Sequence, residues 1–152
     1  MPLLTLNPTD PRALTLMDAQ RRELIALYDD EASTEPFGPE ALRGGVLLGF
    51  EDGGALVAIG GLKPWTDESG SAEIKRMYVA PQARGRGLGK LILAALIAWA
   101  REHGVRRVVL ETGNRQAEAV GLYTGAGFAQ IPNFGYYAGL DASLCFELVL
   151  EP

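Results

Sequence analysis

A chain of 152 residues, 47% of them hydrophobic, is long enough to bury a substantial core and too apolar to remain disordered. Nineteen acidic against fourteen basic residues leave a net charge of −5, which speaks against nonspecific nucleic-acid binding and for a neutral or cationic partner. The one cysteine, Cys145, excludes an internal disulfide and points to a reducing compartment.

The N-terminus has no charged stretch followed by an apolar core, so no secretory signal is expected. The longest apolar run, residues 91–100, is too short to span a membrane. The expectation is a cytoplasmic protein with neither membrane nor nucleic acid as partner. With no repeat, linker or low-complexity tract, a single domain over residues 1–152 is expected.

Leu3, Leu4, Thr5 and Leu6 predict a short first strand, ended by Asn7-Pro8 and Pro11. The apolar spacing over residues 13–30 predicts a helix. Residues 29–39 are acidic and rich in Pro and Gly, and read as a loop that is either a solvated connection or a substrate-lining segment carrying Phe37. A short helix is expected over residues 40–43. Residues 46–51 and 55–62 read as strands joined by a hairpin at Asp52-Gly53-Gly54. A looser polar turn leads to a third strand over residues 73–79, which completes an antiparallel meander.

Pro81 stops that strand, because it cannot donate to a sheet ladder. Arg84-Gly85-Arg86-Gly87-Leu88-Gly89 follows and opens into an apolar helix over residues 88–101. A glycine-rich turn entering a helix N-terminus suits an anion. Backbone N–H groups are unpaired there, the helix dipole is positive, and the arginines add charge-assisted hydrogen bonds. Gly104 reads as the end of that helix. The Val108-Val109-Leu110 run gives a strand over residues 106–112, which completes a βαβ unit with a parallel pair. A helix over residues 115–124, with Asn114 as its cap, a short strand at 128–131, an aromatic loop at 132–141 and a last strand at 143–150 close the chain. The fold class expected is α/β, as a mixed, mostly antiparallel sheet.

Spacing decides what the glycine turn is. A dinucleotide fingerprint requires glycine where Lys90 stands, and a P-loop requires Ser or Thr where Leu91 stands. The pattern present is R-x-x-G-x-G, from Arg84 through Gly87 to Gly89, and it resembles the pyrophosphate loop of the GNAT acyltransferase superfamily. A second motif, Ala119, Leu122, Tyr123, Gly127 and Phe128, is similar to that superfamily's closing helix. The element order is similar as well, so the resemblance covers nearly the whole chain.

The resemblance implies seven strands, about four helices and a splayed parallel pair in the middle of the sheet. It implies acetyl-CoA as cosubstrate and no metal. The pantetheine arm would run along Met77, Tyr78 and Val79, with the Met77 N–H facing the thioester oxygen. The pyrophosphate would lie on Arg84, Gly85, Arg86, Gly87, Leu88, Gly89 and Lys90. The family often has Asn where Gln116 stands here, so Gln116 or Asn114 would bond the arm.

Acetyl transfer to an amine requires loss of the ammonium proton, stabilisation of the tetrahedral intermediate and protonation of the leaving thiolate. By the resemblance, Tyr123 is the general acid; a core aromatic is its alternative. Glu73 precedes Gly87 by fourteen residues, which resembles family members with a glutamate base on this strand, so the resemblance makes it the candidate base; a Glu73–Lys75 surface pair is the competing reading. Period two places Lys75 and Met77 on the face of Glu73. Phe37 and Tyr136 are candidates for the acceptor site. His103 and Cys145 read as structural, and no His, Cys or carboxylate cluster has metal-ligand spacing. The function expected is acetyl transfer from acetyl-CoA to a primary amine of a small molecule or amino acid, in a protein that is a monomer or a homodimer. A peptide acetyltransferase and a non-catalytic acyl-CoA sensor are the alternatives.

Overall fold

The computed structural model describes residues 1–28, 42–65 and 68–150. Strand β1 is Leu3–Leu6 and helix α1 is Pro11–Tyr28. The helix starts two residues earlier than the apolar spacing indicates. Asp10 Oδ1 accepts from the Arg12 N–H at 2.9 Å, which caps the helix. Pro11 therefore falls at the first helical position, where its missing N–H costs nothing.

Strands β2 (Val46–Asp52), β3 (Ala55–Pro64) and β4 (Ser71–Val79) form the expected meander. Helix α2 (Leu88–Glu102) leads to β5 (Arg107–Gly113), and α3 (Ala117–Gly125) leads to β6 (Ala129–Ile131) and β7 (Ser143–Val149). Short 3-10 turns lie at Pro81–Ala83 and Gly135–Tyr137. The described residues thus hold three α-helices rather than about four. The helix expected over residues 40–43 falls largely outside them. Asn114 does not cap α3: the cap position is Gln116, and the Asn114 N–H instead donates to the Ala142 carbonyl at 2.8 Å.

The sheet runs β1-β2-β3-β4-β5-β7-β6, antiparallel throughout except for β4 and β5. Both its faces are covered, which is why Val46 to Phe50 reads as one continuous buried run. One core packs α2 and α3 on the face carrying Val46, Leu48, Ala72 and Ile74. The other packs α1 against Leu47, Leu56 and Ile59.

Two irregularities make the site. First, β4 and β5 pair only at Ser71–Arg107, Ala72–Val108 and Glu73–Val109, and then separate. Second, β4 is bulged against β3. Tyr78 is opposite Ile59 and Lys75 opposite Gly61, so Arg76 and Met77 together face Gly60. Arg76 has φ 60°, a positive value shared by no other non-glycine residue described. The bulge reverses the alternation of β4: Ala72 and Ile74 face α2 before it, and Met77 and Val79 after it. Met77 therefore lies on the face opposite Glu73 and Lys75, contrary to simple period two. A glycine at position 60 makes this possible. A Cβ there would come within 2.4 Å of Met77 Sδ and 2.5 Å of Ile92 Cγ2.

Candidate active site

Where β4 leaves β5, an open groove of about 660 Å³ runs from the start of α2 to Tyr123 on α3. Met77, Tyr78 and Val79 form one wall, on a stretch of β4 that has no β5 partner. The head of the groove is the glycine turn. Gly87 is the residue before α2, held at φ 75° in the left-handed region that glycine alone adopts without strain, and no side chain caps the helix. The N–H groups of the first turn, Leu88 to Lys90, thus lack intrahelical acceptors and border the groove. A Cβ at Gly85 or Gly87 would meet nothing within 4 Å, so backbone conformation and not crowding calls for these glycines.

The arginines of the turn are tied to the protein. Arg84 donates to the Val79 carbonyl at 2.9 Å and to both Glu23 oxygens, at 2.9 and 3.0 Å. Arg86 holds Asp52 at 3.1 Å and does not border the groove. Both pairs are exposed, where ion pairs contribute little, so an incoming anion can displace the carboxylate on Arg84.

At its inner end the groove adjoins a cavity of about 340 Å³, lined by α1, α3 and the parted strands β4 and β5. Gln20, Met77, Gln116, Ala119 and Tyr123 border both spaces. Tyr123 is 5% exposed and packs edge-on against Phe128, with ring centroids 5.8 Å apart. Burial, reinforced by the Glu111 charge, raises its phenol above the ordinary range.

Beneath the cavity lies a buried triad. Tyr137 donates to Glu73 Oε2 at 3.0 Å, Lys75 Nζ donates to the Tyr137 hydroxyl at 2.9 Å, and Nζ lies 3.2 Å from Glu73 Oε2. The Glu73–Lys75 pair exists, but it is buried and not at the surface. Desolvation raises the Glu73 carboxyl, with the Tyr137 hydrogen bond opposing it. Desolvation, then repulsion from Arg76, brings Lys75 down to about 7. Glu73 does not border the cavity; Glu111, on β5, does. Glu111 accepts from the Ser143 hydroxyl at 2.7 Å, and burial raises its carboxyl above the usual range.

The profile of the "Acetyltransferase (GNAT) family" matches residues 13–128. The chain belongs to this family. It is 39% identical over 94 residues to the IAA acetyltransferase of Azospirillum brasilense, a match covering 62% of this chain and 61% of that protein. It is also 40% identical over 79 residues to the Escherichia coli K12 N-acetyltransferase YjgM, of uncharacterised activity, covering 51% of this chain and 47% of the other. These matches span less than two thirds of the relatives' length. The crystal structure of a candidate acyl-CoA N-acyltransferase from Klebsiella pneumoniae superposes with TM-score 0.81 at 30% identity, over 99% of this chain and 97% of that one.

For this GNAT protein, most of the site read from the sequence comes together. Met77, Tyr78, Val79, Arg84, Gly85, Gly87, Leu88, Gly89, Lys90 and Gln116 all border the groove, and Tyr123 lies at its inner end. Arg86 and Asn114 do not. The Gln116 side-chain carbonyl is occupied by the Gly113 N–H at 2.9 Å. Tyr136 is 48% exposed and its neighbour Tyr137 is the aromatic that faces the cavity. Phe37 lies outside the described residues. From the aromatic loop, sequence reading put forward Tyr136 where the structure brings Tyr137 to the cavity, and it did not single out Glu111. The available signal for Glu111 was one acidic residue ending an apolar strand, a setting where a charge is rarely incidental. His103 stacks on Trp99 at 3.8 Å, away from the site. Cys145 is buried in β7 directly opposite Glu111, and borders neither space. Among the described residues no helix is long and apolar enough to cross a membrane.

Proposed function

We propose that this GNAT protein transfers the acetyl group of acetyl-CoA to the primary amine of a small molecule or amino acid, directly and within a ternary complex. The observation that carries this reading is the junction at Tyr123. A groove suited to an extended anionic ligand ends where a smaller cavity with a carboxylate on its wall begins. The residues present fit the donor. The uncapped first turn of α2 suits the pyrophosphate. The edge at Met77 to Val79 has no β5 partner, and its Met77 and Val79 carbonyls are held by the Gln20 and Arg84 side chains at 3.0 and 2.9 Å, which the amides of the pantetheine arm can replace. The cavity's size favours a small acceptor over a folded protein.

In this reading the Met77 N–H, aimed by the bulge, stabilises the oxyanion that grows as the amine nitrogen attacks the thioester carbon. Glu111 takes the ammonium proton, since it reaches the cavity directly and its raised pKa suits a base better than an ordinary carboxylate. Glu73, the base expected from the sequence, acts from behind, reaching the cavity only through Tyr137 and Lys75. Tyr123 delivers a proton to the departing sulfur as the C–S bond breaks. Its raised pKa keeps that proton in place across the working range, and burial raises the leaving thiolate likewise.

Thiol release from acetyl-CoA across a panel of amines tests the reaction. Binding has a simpler test. At about 100 times its dissociation constant, acetyl-CoA adds about 2.7 kcal/mol to the native state. That corresponds to about 5–10 degrees in melting temperature for a chain of this size. NADH is expected to shift it far less, and a larger shift with NADH would sink the assignment.

The two carboxylates are separated by pH–rate profiles. A base of raised pKa gives an acidic limb, activity falling as pH drops through that pKa. Glu111→Gln is expected to remove the limb and lower turnover by about 10²- to 10⁴-fold. Glu73→Gln is expected to keep it. The reverse pattern would place the base at Glu73, relayed by Tyr137.

A further inference from the structure

Two cations are buried next to each other on the cavity wall. Lys75 and Arg76 are 5% and 7% exposed, and both border the cavity. Their charges oppose each other, repulsion from Arg76 coming after burial among the causes that lower Lys75. Burial likewise lowers Arg76, and the Tyr137 and Glu73 charges oppose that shift. Burying one charge is costly, and burying two of the same sign side by side is more so. The backbone adds to the cost, because Arg76 is held at φ 60° in the bulge. A regular strand would send one of two consecutive side chains to the α2 face. Here both residues border the same cavity. Glu73 is committed to Lys75 and Tyr137 from behind. Across the splay, on β5, the Glu111 carboxylate opens onto the same space.

A cavity with a guanidinium on one strand and a carboxylate on the other suits a ligand that carries both signs. We propose that the acceptor is zwitterionic: an amino acid or close analogue whose carboxylate is held by Arg76, with Lys75 beside it, while its amine faces Glu111. Guanidinium and carboxylate match as a two-point hydrogen-bonded pair, which positions the amine as well as binding the acid. A plain amine or a carboxamide lacks the anion that the guanidinium fork matches, so it forms no such two-point pair. The inference rests on the N-acetyl transfer reading and adds the chemical class of the acceptor.

Matched triplets test it: L-amino acids, their carboxamides, and the amines lacking the carboxyl group, each offered with acetyl-CoA to the full chain while thiol release is followed. Acids are expected to show kcat/KM at least about 100-fold above their amides and amines, the order expected when a site built for a polar partner loses it. Arg76→Gln is expected to raise KM for the acids at least about tenfold and to bring acids and amides within about threefold of each other. Its dissociation constant for acetyl-CoA stays unchanged, because Arg76 does not border the donor groove. Arg76→Lys, which keeps the charge but not the fork, is expected to retain part of the preference. Amides or amines used as well as acids overturn the proposal, as does an Arg76→Gln enzyme that still prefers acids. Acetyl-CoA binding with no thiol release from any triplet removes the transferase reading and this inference together; release from amides and amines alone removes only this one.

Discussion

Gly87→Glu is expected to abolish measurable acetyl-CoA binding while leaving the far-UV circular dichroism nearly unchanged. Position 87 precedes α2 and borders the head of the groove, where the first-turn N–H groups would hold the pyrophosphate. A Cβ there would meet nothing within 4 Å, so the side chain does not collide with the protein. The left-handed φ of 75° costs a non-glycine residue about 1–2 kcal/mol, which a folded domain can absorb. A carboxylate placed about 4 Å from a phosphate is a different matter. At an effective dielectric near 20, one pair of like charges at that range costs about 4 kcal/mol, roughly 10³-fold in affinity. Gly87→Ala separates the two effects, since it adds the backbone strain without the charge, and is expected to weaken binding far less. Loss of the circular dichroism signal together with binding would show that Gly87 serves the turn and not the ligand.

The glycine turn was legible because its chemistry is local. A helix that begins without a side-chain cap, directly after glycines and arginines, presents unpaired N–H groups in a few consecutive residues, the pattern that suits an anion. The meander and the βαβ unit were legible for a related reason: turn residues punctuate runs whose period is either two or nearly four. Elements ended within a residue or two of where those signals placed them. The start of α1 is an instance of how the signal misleads. Pro11 reads as a terminator in isolation, yet beside Asp10 it is a helix start.

The inner half of the site was harder to read, because it depends on the bulge. One inserted residue in β4 changes which face every later side chain occupies, and nothing in Glu73 to Val79 marks it. The nearest trace lies in the partner strand, where Gly60 clears the space that Met77 and Ile92 fill. Likewise Tyr136 and Tyr137 are equal candidates in sequence. Only the 3-10 turn at Gly135–Tyr137 decides that Tyr137 points inward, where it bonds Glu73 and Lys75. That bond also holds Glu73, the base expected from the sequence, behind the cavity that Glu111 borders.

Tyr123→Phe is expected to lower turnover by about 10²- to 10⁴-fold, the range that a lost general acid costs. The change removes one hydroxyl and keeps the ring, so the edge-on packing against Phe128 survives. A tyrosine that served only that packing would lose little. Affinity for acetyl-CoA should hardly change, because the donor's proposed contacts are backbone groups of β4 and the first turn of α2. Turnover should therefore fall while the dissociation constant stays, and the loss should be similar across pH, since the buried phenol remains protonated throughout. This last point separates Tyr123 from Glu111, whose replacement removes the acidic limb. Under conditions where chemistry limits the rate, a Tyr123→Phe enzyme that keeps turnover within about threefold of the parent would exclude Tyr123 as the acid. Water in the cavity, or direct departure of the thiolate, would then carry that step.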